Sequence, residues 1–150
     1  MIENQKLYYP PMHTAEHILN QTMIRMFGVE RSFSNHIERK KSKCDYHFHR
    51  NLTENEITAL QNEVNKVINT DLAVIAQVVP FQQAMELVDL RNFDTAQPES
   101  IRLVSIGNYD ICPCSGNHVE QTGQIGGFII SSVSYENNVL RIRFKLNEPI

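Results

Sequence analysis

The sequence predicts an α+β fold in which helices pack on a mainly antiparallel sheet. Two segments show the 3.6-residue apolar period of amphipathic helices, and several shorter segments are rich in β-branched residues. The last two predicted strands are joined by a short Asn-containing turn, as in antiparallel hairpins. With 150 residues and 41% hydrophobic content, the chain is expected to form a single domain over residues 1–150.

The first half of the chain predicts one helix and two strands. Apolar side chains recur at helical spacing over residues 12–27, and Gly28 is a natural stop. Strands are expected at 31–37 and 43–49, with a polar, lysine-rich turn between them. Alternation in the second strand puts Cys44, Tyr46 and Phe48 on one face and Asp45, His47 and His49 on the other.

The second half predicts a long helix followed by strands. Thr53 and Glu56 form a capping box, so a helix begins there and runs to about residue 70. The remaining predicted elements are a strand at 72–79, a short helix at 81–88 after Pro80, a strand at 101–106, and two closing strands joined at Glu136, Asn137 and Asn138.

Several classes of protein do not fit this composition. No apolar run approaches the roughly 20 residues of a membrane-spanning helix. The first residues lack the basic and then apolar pattern of a signal peptide, so we expect a cytoplasmic protein. The three cysteines, Cys44, Cys112 and Cys114, are an odd number and predict free thiols or metal ligands instead of a disulfide framework.

Positive charge is concentrated in one stretch. Residues 31–50 contain six basic and two acidic residues, a net charge of +4, which leaves −7 on the rest. A basic stripe on an acidic protein can bind a polyanion, and it can equally be a solvated hairpin edge that lysines protect from aggregation. The candidate contacts are Arg39, Lys40, Lys41 and Lys43, extended by Arg141, Arg143 and Lys145, which alternate on a predicted strand.

Two pairs of residues could together bind a metal. His13 and His17 are four apart on the first predicted helix, so both rings lie on one face. Cys114 and His118 form a C-x-x-x-H pair, and thiolate with imidazole suits zinc. The alternative is that Cys114 is a buried thiol and His118 a capping residue.

The pattern H-x-x-E-H is also the signature of inverted zinc proteases, in which the glutamate acts as general base. Those enzymes need a third protein ligand, usually acidic, and much longer chains. We therefore expect Glu16 to be an ordinary solvent-facing helix residue.

The segments H-T-A-E-H-I-L and C-S-G-N-H-V-E-Q-T-G-Q-I-G-G-F together resemble the editing domain of alanyl-tRNA synthetases. The editing domain of threonyl-tRNA synthetase shares the H-x-x-x-H and C-x-x-x-H plan. The resemblance runs from His13 to the final hairpin and implies the class II synthetase editing-domain fold. It also implies a short, free-standing AlaX-type protein that hydrolyses, in trans, tRNA(Ala) mischarged with serine or glycine. Its four zinc ligands would be His13, His17, Cys114 and His118.

The resemblance also implies contacts to the substrate. A hydroxyl on the strand after the first helix recognises the serine side chain in this family, and Ser34 is the matching position, with Ser32 as a nearby alternative. Asn117 replaces the family's threonine before the final histidine. Gly123 and Gly126 would let the backbone approach the terminal adenosine, although they also fit a plain tight turn.

Two other functions stay open at this point. The chain could be a non-catalytic, zinc-stabilised tRNA-binding domain of the same fold, or, with less support, a metallopeptidase. Cys44 is expected to pack inward. Cys112 could lie near the metal and compete with Cys114 as its ligand.

Overall fold

Two antiparallel sheets and three α-helices make up the part of the chain, residues 9–90 and 98–147, that the computed structural model describes. The helices are α1 (Pro10–Phe27), α2 (Glu54–Asn69) and α3 (Phe81–Leu87). The strands are β1 (Ser34–His36), β2 (Ser42–His47), β3 (Val74–Pro80), β4 (Ser100–Ile106), β5 (Asp110–Pro113), β6 (Gly127–Glu136) and β7 (Val139–Asn147). This arrangement confirms the predicted α+β class.

The larger sheet has the strand order β1-β2-β7-β6, and every neighbouring pair is antiparallel. The helices α1 and α2 pack on one face of it, because both present an apolar stripe and the sheet offers alternate apolar side chains. The buried residues from the strands include Cys44, Tyr46, Leu140, Ile142 and Phe144. The smaller sheet has the order β3-β4-β5 and packs against α3 through a second apolar cluster.

The two ends of the larger sheet have different surroundings. One end carries the β6–β7 turn, where Phe48 donates its backbone N–H to the carbonyl of Asn138 and contacts Phe27, the last residue of α1. The other end carries residues 37–41 and the start of β6. There the guanidinium of Arg39 stacks over the ring of Tyr9, directly before α1. We call this second end, bounded by residues 37–41, Gly127 and Asn147, the helix-start end.

Most sequence-predicted elements are confirmed. The helix α1 begins two residues earlier than predicted, with Pro10 in its first turn, and ends at Phe27 before Gly28, which adopts a left-handed conformation. The capping box is present: Thr53 Oγ1 accepts the Glu56 N–H at 3.1 Å and Glu56 Oε1 accepts the Thr53 N–H at 2.9 Å.

Two strand predictions need correction, and one strand was missed. The strand predicted at 31–37 is only Ser34–His36, because the N–H of Ser32 donates to the side chain of Asn20 and not to a neighbouring strand. The strand predicted at 43–49 ends at His47, where the partner strand turns. The strand β5 was not predicted.

Asp45 faces away from the core as predicted, yet it is only 4% exposed. The guanidinium of Arg141 and the ammonium group of Lys43 cover it. Among the residues described, no helix is both long and apolar enough to cross a membrane.

Candidate metal centre

Four side chains converge where α1 begins. His13 and His17 come from the first two turns of α1, and Cys114 and His118 from the loop that follows β5. One donor atom from each lies within 4.8 Å of the others. Cys114 Sγ lies 3.7 Å from His13 Nε2 and 3.4 Å from His118 Nε2. The structure thus brings together the four residues that the sequence singled out.

The spacing fits a tetrahedral metal. With metal–nitrogen and metal–sulfur bonds of about 2.05 and 2.3 Å, the nitrogen and sulfur ligands of a tetrahedral zinc lie about 3.6 Å apart. The two measured sulfur–nitrogen distances, 3.7 and 3.4 Å, bracket that value. Three imidazoles and one thiol are therefore placed where they could hold a metal ion such as zinc.

Arg102, from the central strand β4 of the smaller sheet, holds the loop that carries Cys114 through hydrogen bonds to its backbone. Arg102 Nη1 donates to the carbonyl oxygens of Cys114 at 2.7 Å and Gly116 at 2.8 Å. The backbone carbonyl of Arg102 accepts the N–H of Cys114 at 3.2 Å. Sequence reasoning missed Arg102, because no local pattern links a strand residue to a loop twelve positions away.

Thr14 orients the ring of His118. Its hydroxyl donates to the carbonyl of Pro10 at 3.0 Å, as helical threonines commonly do. The same oxygen is therefore left to accept from His118 Nδ1 at 2.9 Å and from the N–H of Val119 at 3.2 Å. His118 then carries its proton on Nδ1, and the lone pair of Nε2 faces the cluster.

His17 is held in a similar way from its other side. Its Nδ1 lies 3.2 Å from Cys112 Sγ and 3.7 Å from Asp110 Oδ2, so that nitrogen points away from the cluster. Asp110 in turn accepts two hydrogen bonds from Arg31, at 2.8 and 3.1 Å, and one from Gln21. Sequence reasoning missed Asp110 and Arg31, since both matter only through residues about 80 positions away.

Electrostatics keeps the imidazoles neutral. Burial lowers the pKa of His17 to about 2 and that of His118 to about 4, and burial also lowers the pKa of His13. At neutral pH all three rings therefore offer a lone pair. Burial raises the pKa of Cys114, so this thiol has to lose a proton to bind a metal.

The prediction for Glu16 was wrong. Glu16 is 7% exposed, and its carboxylate accepts a hydrogen bond from Asn20 Nδ2. Its other oxygen lies 3.7 Å from His13 Nε2, and burial raises its pKa to about 7. The residue is buried because the chain after α1 folds back on this side of the helix, where Asn20 also accepts the N–H of Ser32.

The structure treats the two candidate serines differently. Ser34 lies opposite Asp45 in the β1–β2 pair and accepts a hydrogen bond from Lys43, so it lies on the sheet face away from α1. Ser32 is tied through its N–H to Asn20, which in turn contacts Glu16, and its hydroxyl donates to the side chain of Asn35. Ser32 is thus the serine that is connected to the cluster.

The remaining predicted substrate contacts lie in the loops around the cluster. Asn117 is exposed, and its backbone hydrogen bonds with His13. The N–H of Gly123 donates to Asp71 Oδ1 at 3.0 Å, and a side chain at this position would collide with that oxygen. The close contact between Gly123 and Asp71 is therefore enough to explain why a glycine occupies this position. Gly126 adopts a left-handed conformation with φ of 90° just before β6.

The basic stretch divides into two parts. Lys40 and Lys41 are exposed in the β1–β2 connection, next to Arg39 on its Tyr9 ring. Lys43 instead forms an ion pair with Asp45 at 2.7 Å.

The other cysteines have separate places. Cys44 is fully buried in the core, as predicted. Cys112 is near the cluster but lies behind the ring of His17, and burial raises its pKa to about 12. It is not among the four convergent donors.

Comparison with known proteins gives two kinds of similarity. Residues 101–143 match the family described as the threonyl and alanyl tRNA synthetase second additional domain. Proteins named alanine--tRNA ligase are similar over most of the chain. The one from Aeropyrum pernix is 32% identical over 143 residues, 92% of this chain and 16% of its own length. The one from Treponema denticola is 31% identical over 134 residues, which are 87% of this chain and 22% of that synthetase. The one from Fervidobacterium nodosum is 30% identical over 132 residues, which are 87% of this chain and 15% of that synthetase.

The chain spans between 15% and 22% of the length of these three synthetases. The family match includes β4, β5 and the Cys114–His118 loop, and the similarity to the synthetases extends over most of the remaining chain. This chain is therefore related to the second additional domain of the threonyl- and alanyl-tRNA synthetases, as its two histidine-containing motifs predicted.

Proposed function

We propose that this chain is an aminoacyl-tRNA deacylase that acts in trans in the cytoplasm on mischarged tRNA(Ala). Its preferred substrate is Ser-tRNA(Ala), with Gly-tRNA(Ala) as a second substrate. The observation that carries the proposal is the convergence of His13, His17, Cys114 and His118 at donor distances that suit zinc. The similarity to synthetases named for alanine supports the choice of tRNA.

Hydrolysis of an aminoacyl-tRNA needs only modest catalysis. The bond between an amino acid and a ribose hydroxyl is an activated ester, and its hydrolysis needs a positioned water and stabilisation of charge on the carbonyl oxygen. Zinc held by the four residues would supply a Lewis acid next to that oxygen or water. Because four protein ligands complete a tetrahedral site, the same ion would also fix the geometry of the site.

Two features of the chain add positive potential at this place. The cluster lies at the first turns of α1, whose free N–H groups give that end of the helix a partial positive charge. Arg102 contributes, after burial, to lowering the pKa of His13 and His118, and it favours the thiolate of Cys114. Both charges would stabilise an oxyanion that forms on the substrate carbonyl.

A hydrolytic site of this kind is useful because the small pocket in which a synthetase binds alanine rejects an amino acid with an added hydroxyl poorly. Correct alanine would be spared if the pocket hydrogen bonds the serine hydroxyl, since alanine leaves that partner unpaired. Ser32 is now the better candidate for this contact, because it is linked to the cluster through Asn20 and Glu16.

One observation favours a second candidate function. The buried carboxylate of Glu16 lies 3.7 Å from His13 Nε2, so a carboxylate that could act as a general base is close to the four donors, as the H-x-x-E-H pattern of zinc peptidases requires. Replacing Glu16 with Gln separates the two functions. Loss of peptide hydrolysis would support a peptidase, whereas unchanged deacylation with no peptide hydrolysis in either protein would support editing.

The test of the main proposal is deacylation of Ser-tRNA(Ala) and Ala-tRNA(Ala) by the wild type, Cys114→Ala and Cys112→Ala. We expect fast loss of serine only, abolished by Cys114→Ala because a ligand is removed. Cys112→Ala removes a thiol that lies behind His17 and is not one of the four donors, so we expect a much smaller loss of activity than in Cys114→Ala. Release of neither amino acid by the wild type would reject the deacylase and favour a tRNA-binding domain.

A further inference from the structure

The helix-start end of the larger sheet collects basic residues from two distant segments. Lys43 lies opposite Arg143 and Ser42 opposite Phe144 in the β2–β7 pair. Ser42 is the first residue of β2, so Lys40 and Lys41, which directly precede it, lie at the same end of the sheet as Lys145, which directly follows Phe144 about 100 residues later in the chain.

The ion pairs of this sheet face leave these four residues uncompensated. Asp45 forms ion pairs with Arg141 and Lys43, and Glu38 hydrogen bonds with the ring of His36 at 2.7 Å. Within residues 9–90 and 98–147, none of Lys40, Lys41, Arg143 and Lys145 forms an ion pair; Arg143 contacts only a hydroxyl, that of Ser132. We call these four residues the end cations. They form a positive patch on a chain whose net charge is −3.

The patch lies at the same end as the metal cluster. Arg39, between the end cations and α1, stacks on Tyr9 at 4.4 Å, and His13 follows one helical turn later and donates its N–H to the Tyr9 carbonyl. The segment with Gly123 and Gly126 leads into β6 at this end as well. The side chains of Arg143 and Lys145 alternate with buried Ile142 and Phe144 and so lie on the sheet face away from α1. A ligand that contacts both the patch and the cluster must therefore extend around this end of the sheet.

We infer that the end cations bind the phosphates of an RNA duplex, the acceptor stem, whose 3′ end then enters the metal cluster. The inference rests on the proposed function and gives it a location. It assigns Arg143 and Lys145 to RNA binding and removes Lys43 and Arg141 from that role, since Asp45 holds both. Arg143 and Lys145 lie on one face about 6.7 Å apart along the strand, a spacing that lets one backbone strand contact both.

The experiment measures binding of an uncharged RNA hairpin that carries the acceptor stem and 3′ end of tRNA(Ala), by fluorescence anisotropy over a salt series. The variants are Arg143→Gln, Lys145→Gln and, as control, Arg25→Gln, which removes an exposed cation near the other end of α1. Each end-cation variant should weaken binding roughly threefold to tenfold and lower the salt slope by about 1, whereas Arg25→Gln should match the wild type.

Arg141→Gln is a second control on the same strand, and we expect it to change the salt slope less than Arg143→Gln. Equal losses in all four variants, wild-type binding by Arg143→Gln and Lys145→Gln, or no binding by the wild type would each overturn the inference. Because the RNA carries no amino acid, the result is independent of deacylation. An inactive protein that binds through the end cations would reject the proposed function alone, and an active one that ignores them would reject this surface alone.

Discussion

His17 uses its two ring nitrogens for different tasks. Nδ1 faces Cys112 and Asp110, and Asp110 is fixed by two hydrogen bonds from Arg31. Carboxylates behind a metal-binding histidine set its tautomer and raise its basicity. Cys112 is within hydrogen-bond distance of Nδ1, at 3.2 Å, and Asp110 lies at 3.7 Å, so we expect the two together to orient His17 with Nε2 left for the metal.

We therefore expect Asp110→Asn to weaken zinc affinity by about 10- to 100-fold. The measurement is competition with a chromophoric chelator, together with the visible spectrum of the cobalt-substituted protein. Asp45→Asn is a matched control, because Asp45 is equally buried and also pairs with an arginine through two hydrogen bonds. Equal zinc affinity in the two variants would show that Asp110 has only a structural role.

At the scale of elements, the beginning of α2 depends on a single reciprocal pair. We expect Thr53→Ala to lower the free energy of unfolding by about 1 kcal/mol, because an N–H at the first turn loses its acceptor. Urea denaturation measures this. Thr58→Ala, at an exposed position inside the same helix, should be neutral or slightly stabilising. A loss as large in Thr58→Ala would mean that the cap contributes nothing specific.

The helices and the final hairpin could be predicted because their signals are local. The capping box, Gly28 and the Asn137–Asn138 turn, where both residues have positive φ, each act within a few residues. The strand β5 could not be predicted because its four residues, which end at Pro113, are too few to show an alternating pattern. These residues form a strand because they pair with β4. The side chains behind the metal ligands were missed for a similar reason. Burial of Glu16 and the contacts of Asp110 and Arg102 are made by segments far apart in sequence.

For the whole molecule, a metal ion at the cluster would join α1 to a loop about 100 residues later. We expect a chelator to lower the Tm of the zinc-loaded protein by roughly 10 °C. Zinc at 1,000 times its Kd stabilises the folded state by about 4 kcal/mol. Each kcal/mol of stability shifts the Tm of a protein of this size by about 2–4 °C. Differential scanning fluorimetry with and without the chelator measures it.

Cys114→Ala is the control for this experiment, and its Tm should not respond to the chelator. Cys44→Ala, a cysteine of the core, should have a lower Tm but keep the response. A wild-type Tm that does not change on metal removal would mean that the ion contributes nothing to the folded state.

The pairing of β2 with β7 has a consequence for how the protein is made. The ribosome releases β2 about 100 residues before β7, a delay of roughly 5 to 20 s at ordinary rates of synthesis. During that interval one edge of β2 has no partner, and His13 and His17 have been made without Cys114 and His118. The larger sheet and the metal cluster can therefore be completed only late in synthesis, and until then the nascent chain is a natural client for chaperones that shield open strand edges.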